Sequence, residues 1–254
     1  VLFMAATATV CQAQPRAVEL PTRPGVTQRF LFFEAPQAKA AVVLFAGGDG
    51  GLRLAPAGSM GRLSGNFLVR TRQLFVDNGL SVAVIDAPSD RQKPPFLGGV
   101  RQGPEHAEDM RVVTAWLRQN LKLPVWLVGT SRGTQSVAAI ALRRTSSADA
   151  PDGIVLTSSM LSDDSSRPVT AMQLEKLGIP VLVVHHEQDG CRHCNYSEIP
   201  ALMKKLTGAP RKALQSYRGG IDQGDPCEAM AYHGFNGLDK EVILNIATWI
   251  RSPG

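Results

Sequence analysis

The segment around Ser131 constrains the fold of this chain more than any other. An apolar run at 124–128 leads into a Gly-x-Ser-x-Gly motif at 129–133, and a helical pattern follows at 134–143. This context predicts a strand-to-helix turn so tight that side chains at its two flanking positions would collide, so both are glycine. The turn holds the serine hydroxyl above the sheet, near the free N–H groups of the helix N-terminus. We interpret Ser131 as a candidate nucleophile; an ordinary structural turn is the alternative.

Apolar runs and helical patterns alternate along most of the chain. Strands are predicted at 17–20, 27–33, 40–45, 81–85, 125–128, 153–156, 179–184 and 213–217. Helices are predicted at 63–78, 105–121, 134–143, 199–206 and 239–251. This alternation predicts an α/β fold, a three-layer sandwich in which helices cover both faces of a mostly parallel sheet of about eight strands. The polar segment 158–176 is too short to form a lid domain.

The first residues bear on location. Residues 1–10 are apolar and small, and Cys11-Gln12-Ala13 places small residues at the −3 and −1 positions of a cut before Gln14. We therefore predict that residues 1–13 end a secretory signal, that 14–254 form a single domain, and that the protein is periplasmic or secreted. A buried N-terminal strand is the alternative. No later segment approaches the roughly 18 to 20 apolar residues that span a bilayer, so no integral membrane segment is expected.

The charge pattern argues against one class of partner. Lys and Arg number 27 against 22 Asp and Glu, a net charge of +5, and the basic residues are scattered. No Lys/Arg run contains interleaved aromatic residues. We therefore predict a solvated basic surface and no nucleic-acid partner.

A serine nucleophile needs a base, usually a histidine that a carboxylate orients. The predicted strand 179–184 runs into a polar turn in which Asp189 precedes a glycine; we take Asp189 as the candidate acid and Glu187 as its rival. His233 lies in a Gly-rich loop between the last strand and the last helix, and it is the candidate base. The competing histidines are His106, His185, His186 and His193.

A glycine-rich loop at 47–51 directly follows the buried strand 40–45. Such a loop brings backbone N–H groups close to a substrate, where an acyl-transfer reaction needs donors for its oxyanion. The N–H of Arg132 is expected to supply one donor and that of Gly48 the other, with Asp49 as the alternative. The loop lacks the Lys-Ser/Thr ending of a P-loop and the Gly-x-Gly-x-x-Gly spacing, so no nucleotide cofactor is expected.

The glycine-rich loop, the turn at Ser131, Asp189 and His233 follow one another along the chain in the order that is typical of the α/β-hydrolase fold superfamily, which the chain resembles over roughly 27–252. Within that superfamily, it resembles compact, exported bacterial members. The resemblance implies a serine hydrolase that cleaves carboxylic esters, or related thioesters or lactones, of small molecules through Ser131, His233 and Asp189. An acyl-enzyme intermediate and no cofactor are implied. An acyltransferase, a peptidase and a non-catalytic binding protein are the alternatives.

The sequence departs from that family at two positions. Ala46 stands where a histidine often precedes the oxyanion glycine, and Arg132 replaces the more usual Met, Gln or Ala. The guanidinium of Arg132 either meets a substrate carboxylate or is tied up in a salt bridge.

Three cysteines follow the predicted signal segment. Cys191 and Cys194 form a Cys-x-x-Cys motif, but no second pair completes a zinc site and no thioredoxin-like context surrounds it, so neither a metal nor redox chemistry is expected. We predict a disulfide between Cys191 and Cys227, which ties the loop of the acid to the loop of the base. Cys194 is the alternative partner.

Overall fold

An eight-stranded sheet forms the centre of the computed structural model, which describes residues 14–144, 149–163 and 167–252. The strands are β1 Arg16–Arg23, β2 Val26–Phe33, β3 Ala40–Phe45, β4 Leu80–Ile85, β5 Val125–Ser131, β6 Gly153–Ser159, β7 Val181–His186 and β8 Lys212–Tyr217. Their order across the sheet is β1-β2-β4-β3-β5-β6-β7-β8. β2 pairs antiparallel with β1 and with β4, and every other pair is parallel. The predicted mostly parallel sheet is confirmed.

Helices cover both faces of this sheet. The helices are α1 Phe67–Arg70, α2 Arg72–Asp77, α3 Pro104–Leu121, α4 Gly133–Arg144, α5 Ile199–Lys205 and α6 Asp239–Arg251. Apolar side chains of α3, α4 and α5 join one buried cluster, and those of α1, α2 and α6 join a second cluster on the opposite face. Fully burying one large aliphatic or aromatic side chain contributes roughly 1.5–3 kcal/mol, so the two clusters are the main source of stability. The three-layer α/β architecture is thus as predicted.

The parallel strands bring distant loops together. β3, β5, β6, β7 and β8 run in the same direction, so the loops that follow them meet at one edge of the sheet. In open α/β sheets this carboxyl edge is where ligands bind. The glycine-rich loop, Ser131, Asp189 and His233 all follow or end these strands.

Two elements differ from the predictions. The single helix predicted at 63–78 is two short helices with Thr71 between them, where the Thr71 hydroxyl donates to the Phe67 carbonyl at 2.6 Å. Threonine that bonds back in this way bends or interrupts a helix. The strand predicted at 179–184 begins instead at Val181, because Pro180 has no N–H to donate to a ladder.

In the described part of 158–176, β6 ends at Ser159 and two short 3-10 turns follow, Val169–Ala171 and Leu174–Lys176, with no lid domain. Within the ranges that the structure describes, no helix is both long enough and apolar enough to cross a bilayer. The predicted signal segment, residues 1–13, lies outside those ranges.

Candidate active site

Ser131 ends β5 in a conformation that few serines adopt. Its φ of 52° lies in the left-handed region, which non-glycine residues rarely occupy and which clusters at functional sites. A Cβ on Gly129 would lie 2.5 Å from the carbonyl oxygen of Gly133. A Cβ on Gly133 would lie 2.1 Å from the carbonyl oxygen of Phe45. Both flanking positions therefore have no room for a side chain, and the turn that the motif predicted is present.

Asp189 and His233 form a buried hydrogen-bonded pair. The ring Nδ1 of His233 lies 2.8 Å from Oδ2 of Asp189, and Oδ1 of Asp189 accepts the N–H of Cys191 at 2.9 Å. A carboxylate on Nδ1 favours the tautomer in which Nδ1 carries the proton and Nε2 is free to accept one. His233 Nε2 is buried and has no hydrogen-bond partner among the described residues, Ser131 included. The ring and Ser131 line the same cleft.

The rival acid is engaged elsewhere. Glu187 forms an ion pair with Arg218, and the Asp189 carboxylate is the one on the imidazole of His233. The side chain of Asp189 is fully buried in the site. Glu187, by contrast, pairs with a surface residue, since the side chain of Arg218 is 77% exposed.

The other histidines have structural partners. His106 Nε2 lies 3.0 Å from the hydroxyl of Ser136, and burial lowers the pKa of His106 to about 3. His185 Nε2 donates to a backbone carbonyl at 2.7 Å, and burial lowers its pKa as well. His186 Nε2 donates to a backbone carbonyl at 2.9 Å. His193 accepts a hydrogen bond from its neighbour Arg192 and lies on the wall of the cleft.

The glycine-rich loop passes directly beside the serine. A Cβ on Gly47 would lie 3.0 Å from the Cβ of Ser131, and Gly48 has a φ of 57°, which favours glycine. The N–H groups of Gly48 and Arg132 donate no hydrogen bond to any described residue. The N–H of Asp49, the alternative donor, likewise donates to no described residue, while its carboxylate pairs with Arg62 at 2.9 Å. Of these three residues, Gly48 and Arg132 are the two that line the cleft together with Ser131.

The side chain of Arg132 is held by an ion pair. Its Nη1 lies 2.8 Å from Oδ2 of Asp163, whose side chain is only 2% exposed. Gln135 donates to the same oxygen at 3.1 Å. Of the two expectations for this guanidinium, the structure shows the salt bridge.

The cysteines lie against the acid–base pair. A disulfide joins Cys191 to Cys227, 36 residues apart, and Cys194 is a free, buried thiol. Burial raises the pKa of Cys194, so this thiol stays protonated. Ligand atoms of Cys191, Cys194 and His233 lie within 4.8 Å of one another, but an oxidised Cys191 has no thiolate to offer a metal. We did not predict Cys194 beside the imidazole; its only signal was the three-residue spacing from Cys191.

A cleft of about 500 Å³ opens over Ser131. Its wall mixes apolar side chains with a few polar ones, and sequence reasoning did not identify these residues: Leu63, Ser64, Asn66, Phe67, Met160, Glu228 and Met230. They belong to the segments 63–67 and 228–230 and, for Met160, to the residue directly after β6, none of which carries a recognisable motif. The arrangement places a serine, an oriented imidazole and two free N–H donors around one solvent-accessible space.

Comparison with known proteins supports the fold. No family model matches the chain, and no curated protein matches its sequence. Solved structures do match: an esterase of Pyrococcus furiosus has a TM-score of 0.64 at 14% identity, covering 94% of this chain and 92% of that one. A dienelactone hydrolase from Anabaena variabilis has a TM-score of 0.65 at 15% identity, with 94% and 98% covered.

A third structural neighbour has the same overall organisation. It is a Xanthomonas campestris protein described as an α/β serine hydrolase without a lid, with a TM-score of 0.58 at 14% identity and with 97% and 99% covered. At these identities the likeness establishes a shared fold.

Proposed function

Because the chain has the α/β-hydrolase fold, we propose that it is a serine hydrolase that cleaves carboxylic esters or related acyl bonds. The observation that carries the proposal is the 2.8 Å hydrogen bond between Asp189 and His233, at the sheet edge where Ser131 has its left-handed backbone. A buried carboxylate that orients an imidazole beside a strained serine is the arrangement of a catalytic triad.

In the proposed mechanism, His233 Nε2 takes the hydroxyl proton of Ser131 as Oγ attacks the acyl carbon. The negative charge of the tetrahedral intermediate falls on the former carbonyl oxygen, which accepts the N–H groups of Gly48 and Arg132. Collapse of the intermediate breaks the bond to the leaving group, which receives the proton from His233. Water then repeats the sequence on the acyl-enzyme and releases the acid.

The cleft favours a neutral, small acyl substrate. Its volume of about 500 Å³ falls in the range of small-molecule sites, and Leu63, Phe67 and Met230 offer apolar contact. The Arg132 guanidinium is already paired, so it offers little attraction to a substrate carboxylate. The structural neighbours include an esterase and a dienelactone hydrolase, and esters, thioesters and lactones share this chemistry. Export of the chain remains a proposal, with which a disulfide is consistent.

A fluorophosphonate probe tests the proposal, because only an activated serine reacts with it. The wild type is expected to be labelled at Ser131 and to hydrolyse p-nitrophenyl esters of graded chain length. Ser131→Ala should abolish labelling and lower kcat by about 10⁶ with the fold retained. Ser197→Ala, at an exposed serine away from the cleft, is the matched control. An unlabelled wild type would indicate a non-catalytic binding protein and end the proposal.

A further inference from the structure

A buried arginine lies behind the glycine-rich loop. Arg101 is 4% exposed, and its Nη2 donates to the carbonyl oxygens of Ala46 and Gly48, both at 3.0 Å, with that of Gly47 at 3.5 Å. Three consecutive carbonyls of the loop therefore face one guanidinium group.

The same side chain reaches the helix that follows the nucleophile. Nη1 of Arg101 donates to the hydroxyl of Ser136 at 3.0 Å, and this hydroxyl also contacts His106 Nε2 at 3.0 Å. Burial keeps His106 neutral at pH 7, so its Nε2 can accept the Ser136 proton while the hydroxyl oxygen accepts from Arg101. Ser136 lies on α4, which begins directly after Arg132. Arg101 thus links the two segments that hold the candidate oxyanion donors.

Peptide geometry determines which way the N–H groups of the glycine-rich loop point. In a trans peptide the C=O of one residue and the N–H of the next point to opposite sides. Arg101 holds the carbonyl of Ala46 on its own side, and it shares the carbonyl of Gly47 with the N–H of Gly50, which donates to it at 3.2 Å. The N–H groups of Gly47 and Gly48 therefore point away from the guanidinium. The opposite side of the loop is the side of Ser131, since a Cβ on Gly47 would lie 3.0 Å from the Cβ of Ser131.

The charge of Arg101 is unusual for its position. No described carboxylate lies within ion-pair distance of it. Burial lowers the pKa of Arg101 to about 9, so the group is still cationic at neutral pH. Burying an unpaired charge is costly, and such a cost is typically retained where the charge serves a function. A cation behind the loop favours negative charge developing in front of it.

We propose that Arg101 is a positioning residue of the oxyanion hole: it orients the Gly48 N–H, ties the loop to α4 and supplies positive potential to the tetrahedral intermediate. This inference rests on the proposed serine-hydrolase function.

The test compares Arg101→Met, Arg101→Lys and a surface control, Arg111→Met, for ester hydrolysis and for the rate of fluorophosphonate labelling. If Arg101 positions the donor, Arg101→Met should lower kcat by about 10²–10³, the loss typical of a missing oxyanion donor, and leave KM nearly unchanged. Arg101→Lys should keep part of kcat at neutral pH and lose it as the pH rises, because a buried lysine gives up its proton more readily than an arginine. Arg111→Met should behave as wild type.

If Arg101→Met does not fold, a second variant, Ser136→Ala, tests the same role. Ser136→Ala removes the acceptor of Nη1 and, with it, the partner of His106 Nε2 but leaves the guanidinium in place, and it should lower kcat several-fold with a wild-type circular dichroism spectrum. If the wild type is labelled and active but a folded Arg101 or Ser136 variant keeps full kcat, the role of Arg101 is overturned and the proposed function is not. A wild type that is never labelled would overturn the proposed function, and the role of Arg101 with it.

Discussion

At the scale of single residues, Asp189 serves two donors at once. Its carboxylate accepts one hydrogen bond from the imidazole of His233 and one from the N–H of Cys191, and its side chain is fully buried. An asparagine amide at this position can accept only through one atom, and its NH₂ group favours the wrong imidazole tautomer. The orientation of His233 therefore depends on the charge of Asp189 as well as on its shape.

We predict that Asp189→Asn lowers kcat by about 10⁴ with the fold retained, the size of loss that the same change causes in serine proteases. Glu187→Gln should stay within a few-fold of wild type, because Glu187 pairs with Arg218. Steady-state kinetics on a p-nitrophenyl ester measures both. An inactive Glu187→Gln beside an active Asp189→Asn would exchange the roles of the two acids.

His106 makes stability depend on pH. Burial lowers its pKa to about 3, and the charges of Arg101 and Arg23 act in the same direction. The unfolded chain, with a histidine pKa of about 6.5, binds more protons than the folded chain between these two values. The free energy of unfolding should therefore fall as the pH drops through this window, by an amount on the order of a few kcal/mol at pH 4.

Urea unfolding of the wild type and of His106→Gln at pH 7 and pH 4 measures this effect. Glutamine does not titrate, so the variant should lose less stability between the two pH values than the wild type. Part of the loss should persist in the variant, because burial lowers the pKa of His185 as well. Identical losses in the two proteins would contradict the role of His106.

At the scale of elements, the strand-to-helix turn depends on the absence of side chains. Gly133 lets α4 begin against the carbonyl of Phe45, at a distance that no Cβ tolerates. Because Phe45 ends β3 just before the glycine-rich loop, a shift there moves the loop as well as the helix.

We predict that Gly133→Ala lowers the free energy of unfolding by more than about 3 kcal/mol, since the clash is with backbone that cannot move alone. Gly65→Ala is the matched control, because a Cβ at Gly65 meets nothing within 4 Å and its backbone is not left-handed. Chemical denaturation of the two variants measures the difference. Equal stability would show that the turn relaxes easily.

Local patterns predicted most elements, and long-range contacts set the rest. The helix at 239–251 has the bounds that its apolar periodicity predicted, and the turn at Ser131 follows from two glycines and a flanking strand. The break at Thr71 depends on one side-chain hydrogen bond, which no periodicity reveals. Arg101 reaches the site through contacts with residues far along the chain, which no local pattern reveals. Cys194 was named only as an alternative disulfide partner, because its approach to His233 depends on a loop 39 residues further on.

At the scale of the whole molecule, the disulfide joins the loops of the acid and the base. Cys191 lies two residues after Asp189 and Cys227 six before His233. The bond spans 36 residues, and the chain-entropy model assigns such a loop on the order of 4 kcal/mol as an upper figure.

We predict that a reducing agent lowers both the Tm and the kcat of the wild type. The double variant Cys191→Ala, Cys227→Ala should have the lower Tm from the start and should not respond to the reductant. Cys194→Ala keeps the bond, so it should remain sensitive. Differential scanning calorimetry with and without reductant measures this. A wild-type Tm that does not change on full reduction would show that the bond contributes little stability.

The two edge strands of the sheet, β1 and β8, differ in how well their side chains oppose pairing with another chain. β1 carries Arg16, Glu19, Pro21 and Arg23, and charges and proline on an edge strand oppose pairing with the backbone of another chain. β8, at the other end, has Lys212 as its one charged residue and leaves Leu214 38% exposed, with no described strand on its outer side. Self-association at high concentration should therefore begin at β8. A charged residue in place of Leu214, which does not line the cleft, is the change that would suppress it.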